Sequence, residues 1–373
     1  VSDPLCPESP PRAWVEIDLR NLRHNLEIAR NISGCKLMAV VKAGAYGHGL
    51  EKISRTLEAC GIAFLGVANI GEARRIRAAG VQTPIYLLGA TWDEEREEIV
   101  ARNITPCIST VAEAQSFDLI AKRRGKILAV HLAVDTGMGR GGFLPSDLSE
   151  KFDELARFDC LNIEGIASHL SSSDEDEMVT LQQIDTFNHT VEQLGGLEKF
   201  KWRHLSNSGG ILGYTNHCCN LARPGLMIYG ISPIPGFQEK LRTVMSLKSR
   251  VTLVRTVPAG HGISYGRTYV TTRPTRIATV GIGYGDGYPR HLSGKGVEVF
   301  IRGQRHPVIG RVTMDQIIVM LPDHCDVVCG DQVELFGPNI PADEIARQAD
   351  TIAWEVFTGI TPRVERIYLG DQP

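Results

Sequence analysis

Short apolar runs alternate with polar segments of helical periodicity through the first two-thirds of the chain. The runs lie at 37–42, 64–68, 85–89, 105–108, 127–134, 163–168, 202–206 and 225–229. Runs of this length bounded by turns predict buried strands, and the segments at 71–79, 92–101, 112–122 and 175–194 predict helices between them. Upstream, a strand at 14–19 leads into an amphipathic helix in which Leu22, Leu26 and Ala29 recur on one face. Alternating strand and helix implies a parallel sheet, and eight such units in about 230 residues fit a closed (β/α)8 TIM-type barrel. A doubly wound open sheet is the competing arrangement.

Near residue 240 the texture changes. Segments 247–257, 277–282, 297–301, 308–320 and 332–336 are rich in Val, Ile and Thr and are separated by Gly and Pro turns, with helical periodicity returning only at 342–349. This predicts a mainly β second domain. The expected division is therefore 1–240, including a Pro-rich irregular arm at 1–13, and 241–373.

Composition narrows the partners. Forty basic and 43 acidic side chains give a net charge of −3, so the global field offers nucleic acid no attraction and a small molecule is the expected ligand. No apolar run approaches the roughly 18 to 20 residues of a membrane span. The nine cysteines are odd in number and scattered, with Cys218 and Cys219 adjacent, which does not suit a disulfide framework and points to a reducing, cytoplasmic compartment. The chain begins Val1-Ser2-Asp3-Pro4 without Met, which leaves a processed or exported form as the alternative. No metal-ligand pattern is evident.

The candidate chemistry starts at Ala39-Val40-Val41-Lys42-Ala43-Gly44-Ala45-Tyr46-Gly47, where an apolar strand ends in a lysine and breaks into glycines. An amine at a strand's carboxyl end lies where barrels keep their active sites and invites a carbonyl. Asp135-Thr136-Gly137-Met138-Gly139-Arg140 follows the fifth run, and Gly137, Gly139 and Gly142 match G-x-G-x-x-G. That fingerprint belongs to the first βα turn of a dinucleotide fold, so the match is set aside. Ser168-His169, Ser206-Asn207-Ser208 and Arg223-Pro224-Gly225-Leu226 close the later units. The second domain carries Gly262-Ile263-Ser264-Tyr265-Gly266-Arg267-Thr268, Gly283-Tyr284-Gly285-Asp286-Gly287-Tyr288-Pro289-Arg290 and Gly310-Arg311-Val312-Thr313-Met314-Asp315-Gln316.

These motifs, over nearly the whole chain, resemble those of alanine racemases, enzymes of pyridoxal 5'-phosphate built as a barrel followed by a β domain. The resemblance implies that Lys42 forms the Schiff base with the cofactor. It implies further that Tyr46, Asn207, Ser208, Gly225 and Leu226 hold the phosphate, that His169 braces the ring, and that Arg140 sits at the ring hydroxyl near the substrate carboxylate. Arg223 would face the pyridine nitrogen. A guanidinium with pKa above about 12 does not yield a proton to that nitrogen, which suits racemisation and argues against fold-related decarboxylases. Tyr265 would be the second catalytic base, donated by the other subunit of a homodimer with shared sites. Met314, Asp315 and Tyr284 would line the amino-acid substrate's path. The implied activity is interconversion of L- and D-alanine for peptidoglycan.

Four positions depart from the family pattern. Gly44 replaces Asn or Asp, Ala133 replaces a modified lysine that braces the arginine, Thr313 stands where Cys is frequent, and Pro362 replaces an active-site tyrosine. Pro362 and Ala133 motivate a serine or broad-spectrum racemase as the alternative. A cofactor-holding protein without catalysis would have no use for Tyr265.

Overall fold

A computed structural model describes residues 10–371; positions 1–9 of the expected Pro-rich arm lie outside the described residues. The chain forms two compact units, one spanning Asn21–Arg242 and the other joining the segment that ends at Arg20 to the chain from Thr243 onward.

In the first unit, parallel strands Ile85–Leu87, Phe64–Val67, Lys36–Val40 and Leu221–Ala222 pair in that order, as do Cys107–Ile108, Leu128–Ala133, Leu161–Ala167 and Trp202–His204. The two sets join at both seams. The Tyr86–Thr105 bridge closes one, with the Leu87 N–H donating to the Thr105 carbonyl at 2.9 Å. At the other, the Asn220 and Arg223 N–H groups each donate at 3.0 Å, to the carbonyls of Arg203 and Ser206. The result is a closed eight-stranded barrel. Met38, Phe64, Tyr86, Cys107, Ala133 and Leu221 cluster in its core. Helices Ile70–Ala78, Asp93–Ala101, Val111–Arg123 and Glu177–Gln193 lie within two residues of the expected bounds.

The eighth strand is displaced from its expected place. Run 225–229 is not a strand: Leu226–Tyr229 is a 3-10 turn, and the pairing segment is Leu221–Ala222. Pro224 has no N–H to continue a ladder. The side chains of 226–229 are apolar because they are buried against the barrel, all at or below 2% exposure, and not because they belong to a sheet.

Strand Ala13–Asp18 differs too. It pairs antiparallel with Met245–Val257 and parallel with Glu365–Leu369, so the segment before Arg20 groups with the second unit and not with the barrel. In that unit Thr275–Val280, Ile317–Leu321, Gln304–Ile309, Glu298–Ile301, Gln332–Phe336 and Met245–Val257 are neighbours in order, and the last also pairs with the first, which closes the sheet. The long strand Met245–Val257 bends through register shifts at Leu247/Lys248 and Val251/Leu253; such bulges add twist and allow closure. Run 308–320 divides into two strands around a turn at 310–316, where Gly310 has φ 72. Helix Ala353–Thr358 was not expected.

Candidate active site

Lys42 leaves the barrel at the carboxyl end of Lys36–Val40 and opens a left-handed turn. Ala43, Gly44, Ala45, Tyr46 and Gly47 have φ of 53, 65, 57, 53 and 77. The turn is hydrogen-bonded, Gly47 N–H to the Ala43 carbonyl and Gly49 N–H to the Gly44 carbonyl, both at 2.9 Å. Left-handed backbone costs an L-residue about 1–2 kcal/mol, so Ala43, Ala45 and Tyr46 together store about 3–6 kcal/mol. Gly44 suits its place, because Gly, Asn and Asp are the residues that accept this conformation. Glu72 anchors the turn: its carboxylate accepts from the Gly44 N–H at 3.2 Å and the Ala68 N–H at 2.9 Å. Burial lowers the Lys42 pKa, as do Arg140 and Arg223, against an opposing pull from Glu72. The shift moves the amine toward its neutral, nucleophilic form relative to an ordinary lysine.

Tyr46 is 8% exposed and stacks on Tyr229 with ring centroids 4.8 Å apart. Its hydroxyl approaches Gly225 so closely that a Cβ there would lie 2.8 Å away. The Ser208 Oγ accepts from the N–H groups of Gly225 at 3.0 Å and Met227 at 3.3 Å. Tyr46, Ser208 and Gly225 thus lie together, with the Gly225 N–H engaged by the Ser208 hydroxyl. Asn207 has another task. Its Oδ1 accepts from the Gly210 N–H and the Ser173 hydroxyl, both at 2.9 Å, so the side chain caps helix Ser208–Gly213 and holds its start in place.

Arg223 is 4% exposed. Its NH2 donates to the carbonyls of Ser168 at 2.6 Å and Leu205 at 2.9 Å and to His169 Nδ1 at 3.1 Å; NH1 donates to His204 Nδ1 at 2.7 Å. His204 Nε2 in turn meets His131 Nδ1 at 2.8 Å. Arginine only donates, which fixes every tautomer. His204 must accept at Nδ1 and donate from Nε2, His131 must accept at Nδ1, and His169 must carry its proton on Nε2. Burial, then the Arg223 charge, pushes His131 and His169 down to about 3 and His204 well below its ordinary value, so all three rings are neutral. Gly165 makes room for the relay, since a Cβ there would stand 2.6 Å from the His131 ring. Among the described residues no carboxylate pairs with Arg223.

Arg140 follows a turn built around Asp135, whose Oδ1 accepts from the N–H groups of Gly137, Met138 and Gly139 at 2.9 to 3.0 Å. Arg140 is exposed, and among the described residues it has no hydrogen-bonding or ion-pair partner. Ala133 lies in the barrel core beside Tyr86 and Cys107 and offers the arginine no brace.

The remaining predicted residues belong to the second unit. Tyr265 is 70% exposed on a loop where Ser264, Gly266 and Arg267 all have positive φ. The Ser264 hydroxyl donates to the Arg311 carbonyl at 2.7 Å and ties that loop to the 310–316 turn. Met314 on this turn and Tyr284 nearby are exposed, and Asp315 is half-exposed and paired with Arg363.

Two family models match the chain: the alanine racemase N-terminal domain over residues 17–233 and the C-terminal domain over 244–368. The chain belongs to the alanine racemase family. An alanine racemase of Methylacidiphilum infernorum is 38% identical over 367 residues, covering 96% of this chain and 93% of that protein. The alanine racemase structure from Clostridium difficile 630 superposes with a TM-score of 0.91 at 35% identity, covering 97% of each chain. That from Bartonella henselae, which has covalently bound pyridoxal phosphate, gives 0.89 at 30% identity, covering 96% of this chain and 100% of that one. The barrel residues fit such a group: an amine whose pKa is lowered, a tyrosine and a serine hydroxyl gathered at a glycine, and a buried guanidinium that has no acidic partner among the described residues. Family motifs do not mark Glu72, Tyr229, His131 or His204 from sequence; the signal available was two histidines inside apolar strands, with nothing to say that they meet.

Proposed function

We propose that this chain is a pyridoxal-phosphate-dependent racemase that interconverts L- and D-alanine by two bases, working as a homodimer. The observation that carries the reading is the convergence of Lys42, the Tyr46–Ser208–Gly225 cradle and the acid-free Arg223 at the carboxyl end of one barrel. Lys42 attaches the cofactor. The Tyr46 and Ser208 hydroxyls and the N–H groups of Gly225 and Leu226 hold its phosphate, with Asn207 positioning the helix start. His169, neutral, braces the ring. When bound, pyridoxal phosphate supplies an electron-withdrawing ring that acidifies the substrate's α-C–H bond.

Arg223 presents a permanently charged donor that keeps its own proton, which tempers that withdrawal and favours returning the proton to carbon over transamination. Lys42 exchanges the α-proton on the D side and Tyr265, from the partner subunit, exchanges it on the L side. Arg140 takes the substrate carboxylate with the Met314 backbone, and Tyr284 and Asp315 line the approach. D-alanine made in the cytoplasm would feed peptidoglycan. Among the described residues no helix is long and apolar enough to cross a membrane.

Chiral chromatography of L-alanine, L-serine and L-lysine, each incubated with protein and pyridoxal phosphate, tests the reading. D-alanine as the dominant product is expected. The exposed Pro362, where the family has a tyrosine, favours measurable D-serine as the second product; carbon dioxide release without any D-amino acid would overturn racemisation.

A further inference from the structure

Three loops of the second unit meet at one arginine. The Arg363 Nε donates to Asp286 Oδ1 at 2.6 Å, and its NH2 donates to Asp315 Oδ1 at 2.7 Å. The two carboxylates are unlike. Asp286 is 8% exposed at its side chain, and its second oxygen accepts from the Gly283 N–H at 2.9 Å, which fixes the start of the Tyr284–Asp286 turn. Asp315 is half-exposed and follows Met314. A buried carboxylate demands a cation, so Arg363 is held at its Asp286 end and reaches from there to Asp315.

The backbones around this arginine are interlocked. Tyr284 and Gly285 N–H groups donate to the carbonyls of Thr313 at 3.0 Å and Met314 at 2.9 Å. The Thr361 hydroxyl donates to the Gly285 carbonyl at 3.0 Å, and its N–H to the Asp286 carbonyl at 3.1 Å. A Cβ at Gly283 would lie 2.2 Å from the Thr313 oxygen, and one at Gly287 2.2 Å from the Gly359 oxygen. Arg12 adds a second hold, donating to the Gly281 carbonyl at 2.9 Å and to the Asp315 carbonyl. Tyr284 and Met314, by contrast, expose 39% and 52% of their surface, so their own packing in this chain does little to fix them. Pro362 locks φ just before Arg363 and carries no group that could fill the space of a larger side chain.

We propose that Arg363 is a positioning residue that sets the spacing of Tyr284 and Met314, and through it the size of amino-acid side chain the enzyme accepts. The proposal rests on the reading of this loop cluster as the edge that lines a racemase site. Arg363 acts through the carboxylates of Asp286 and Asp315 and touches neither substrate nor cofactor. Because its guanidinium bridges two separate carboxylates, Arg363→Lys is a partial replacement and Arg363→Gln a full loss of charge.

The test is steady-state racemisation by the holoenzyme of wild type, Arg363→Lys, Arg363→Gln, Asp315→Asn and the Asp315→Asn/Arg363→Gln double variant, with L-alanine and with L-serine. Arg363→Gln is expected to raise KM for alanine on the order of tenfold while kcat changes less than threefold, with the serine-to-alanine ratio of kcat/KM rising. Arg363→Lys should fall between it and wild type. The double variant should match Arg363→Gln alone, because residues acting as one unit are not additive. Equal losses in kcat for both substrates, or an unchanged substrate ratio in a variant that melts like wild type, would overturn the positioning role. If Arg363→Gln fails to fold, Asp315→Asn alone must shift the ratio in the same direction. Wild type inactive on every amino acid would instead defeat the racemase reading itself.

Discussion

Acidification from about pH 7.5 to about pH 5.5 should destabilise the barrel, because three of its histidines refuse protons when folded. An unfolded histidine titrates near 6.5. Folded, His131 and His169 are held at about 3 and His204 well below the ordinary value by burial and by Arg223. Over this window each ring therefore stays neutral in the native state while the unfolded chain takes up a proton. The sign follows: these depressed bases leave stability intact above pH 6.5 and remove it as pH falls. Integrated across two pH units centred on 6.5, each histidine costs about 1.4 kcal/mol, and three cost about 4 kcal/mol. Glu98, lowered to about 2 by Arg74 and Arg102, departs from its unfolded behaviour only below about 4.5, whereas burial raises the Glu113 carboxyl, which offsets part of the histidine loss as pH falls. The assay is urea unfolding of cofactor-stripped protein at several pH values, read by fluorescence of Trp202, which packs edge-on against Phe64 in the barrel. His131→Leu should reduce the pH-dependent loss by about one histidine's share, to about 3 kcal/mol. A stability that is flat between these pH values, or a His131→Leu profile parallel to wild type, would refute the relay as drawn.

Three other outcomes follow from the site. Lys42→Ala should leave no borohydride-reducible cofactor adduct detectable by mass spectrometry; a surviving adduct would move the attachment elsewhere. Tyr265→Phe should slow α-hydrogen exchange into deuterated water from L-alanine far more than from D-alanine, and equal slowing from both sides would dismiss the two-base assignment. Gly225→Ala places a Cβ 2.8 Å from the Tyr46 hydroxyl, so overpacking of about 1–3 kcal/mol should weaken cofactor retention on dialysis, with Tyr46→Phe relieving the clash without restoring wild-type affinity.

The barrel was legible because its strands are short, apolar and buried on both faces, and seven of the eight runs contain a strand. The eighth was misread because burial and sheet membership give the same apolar pattern, and Pro224 was the residue that separated them. The strand at Ala13–Asp18 was found, but its partners lie more than 200 residues away in sequence, and a single strand carries no mark of which sheet it joins. Among the chemical residues, Lys42, Tyr46, Arg140, His169, Ser208 and Arg223 were marked by strand ends and by family motifs. The relay was not, because His131 and His204 are 73 residues apart and each alone reads as a core histidine. Asn207 matches the cofactor motif, but nothing in sequence marks that its carboxamide is committed to Gly210 and Ser173. Arg363 and Asp286 were likewise opaque, since their pairing depends on three loops folding together.

Along Ala43–Gly47 the usual ranking of helix formers runs backwards. In a right-handed helix, replacing alanine by glycine costs about 1 kcal/mol, yet in this mirror-image turn the methyl group is the burden, and Ala43→Gly or Ala45→Gly should raise the melting temperature. A stability screen guided by ordinary propensities would therefore push the sequence the wrong way at the very residues that aim Lys42, and D-alanine, the proposed product, is the monomer whose chirality this stretch of backbone would prefer.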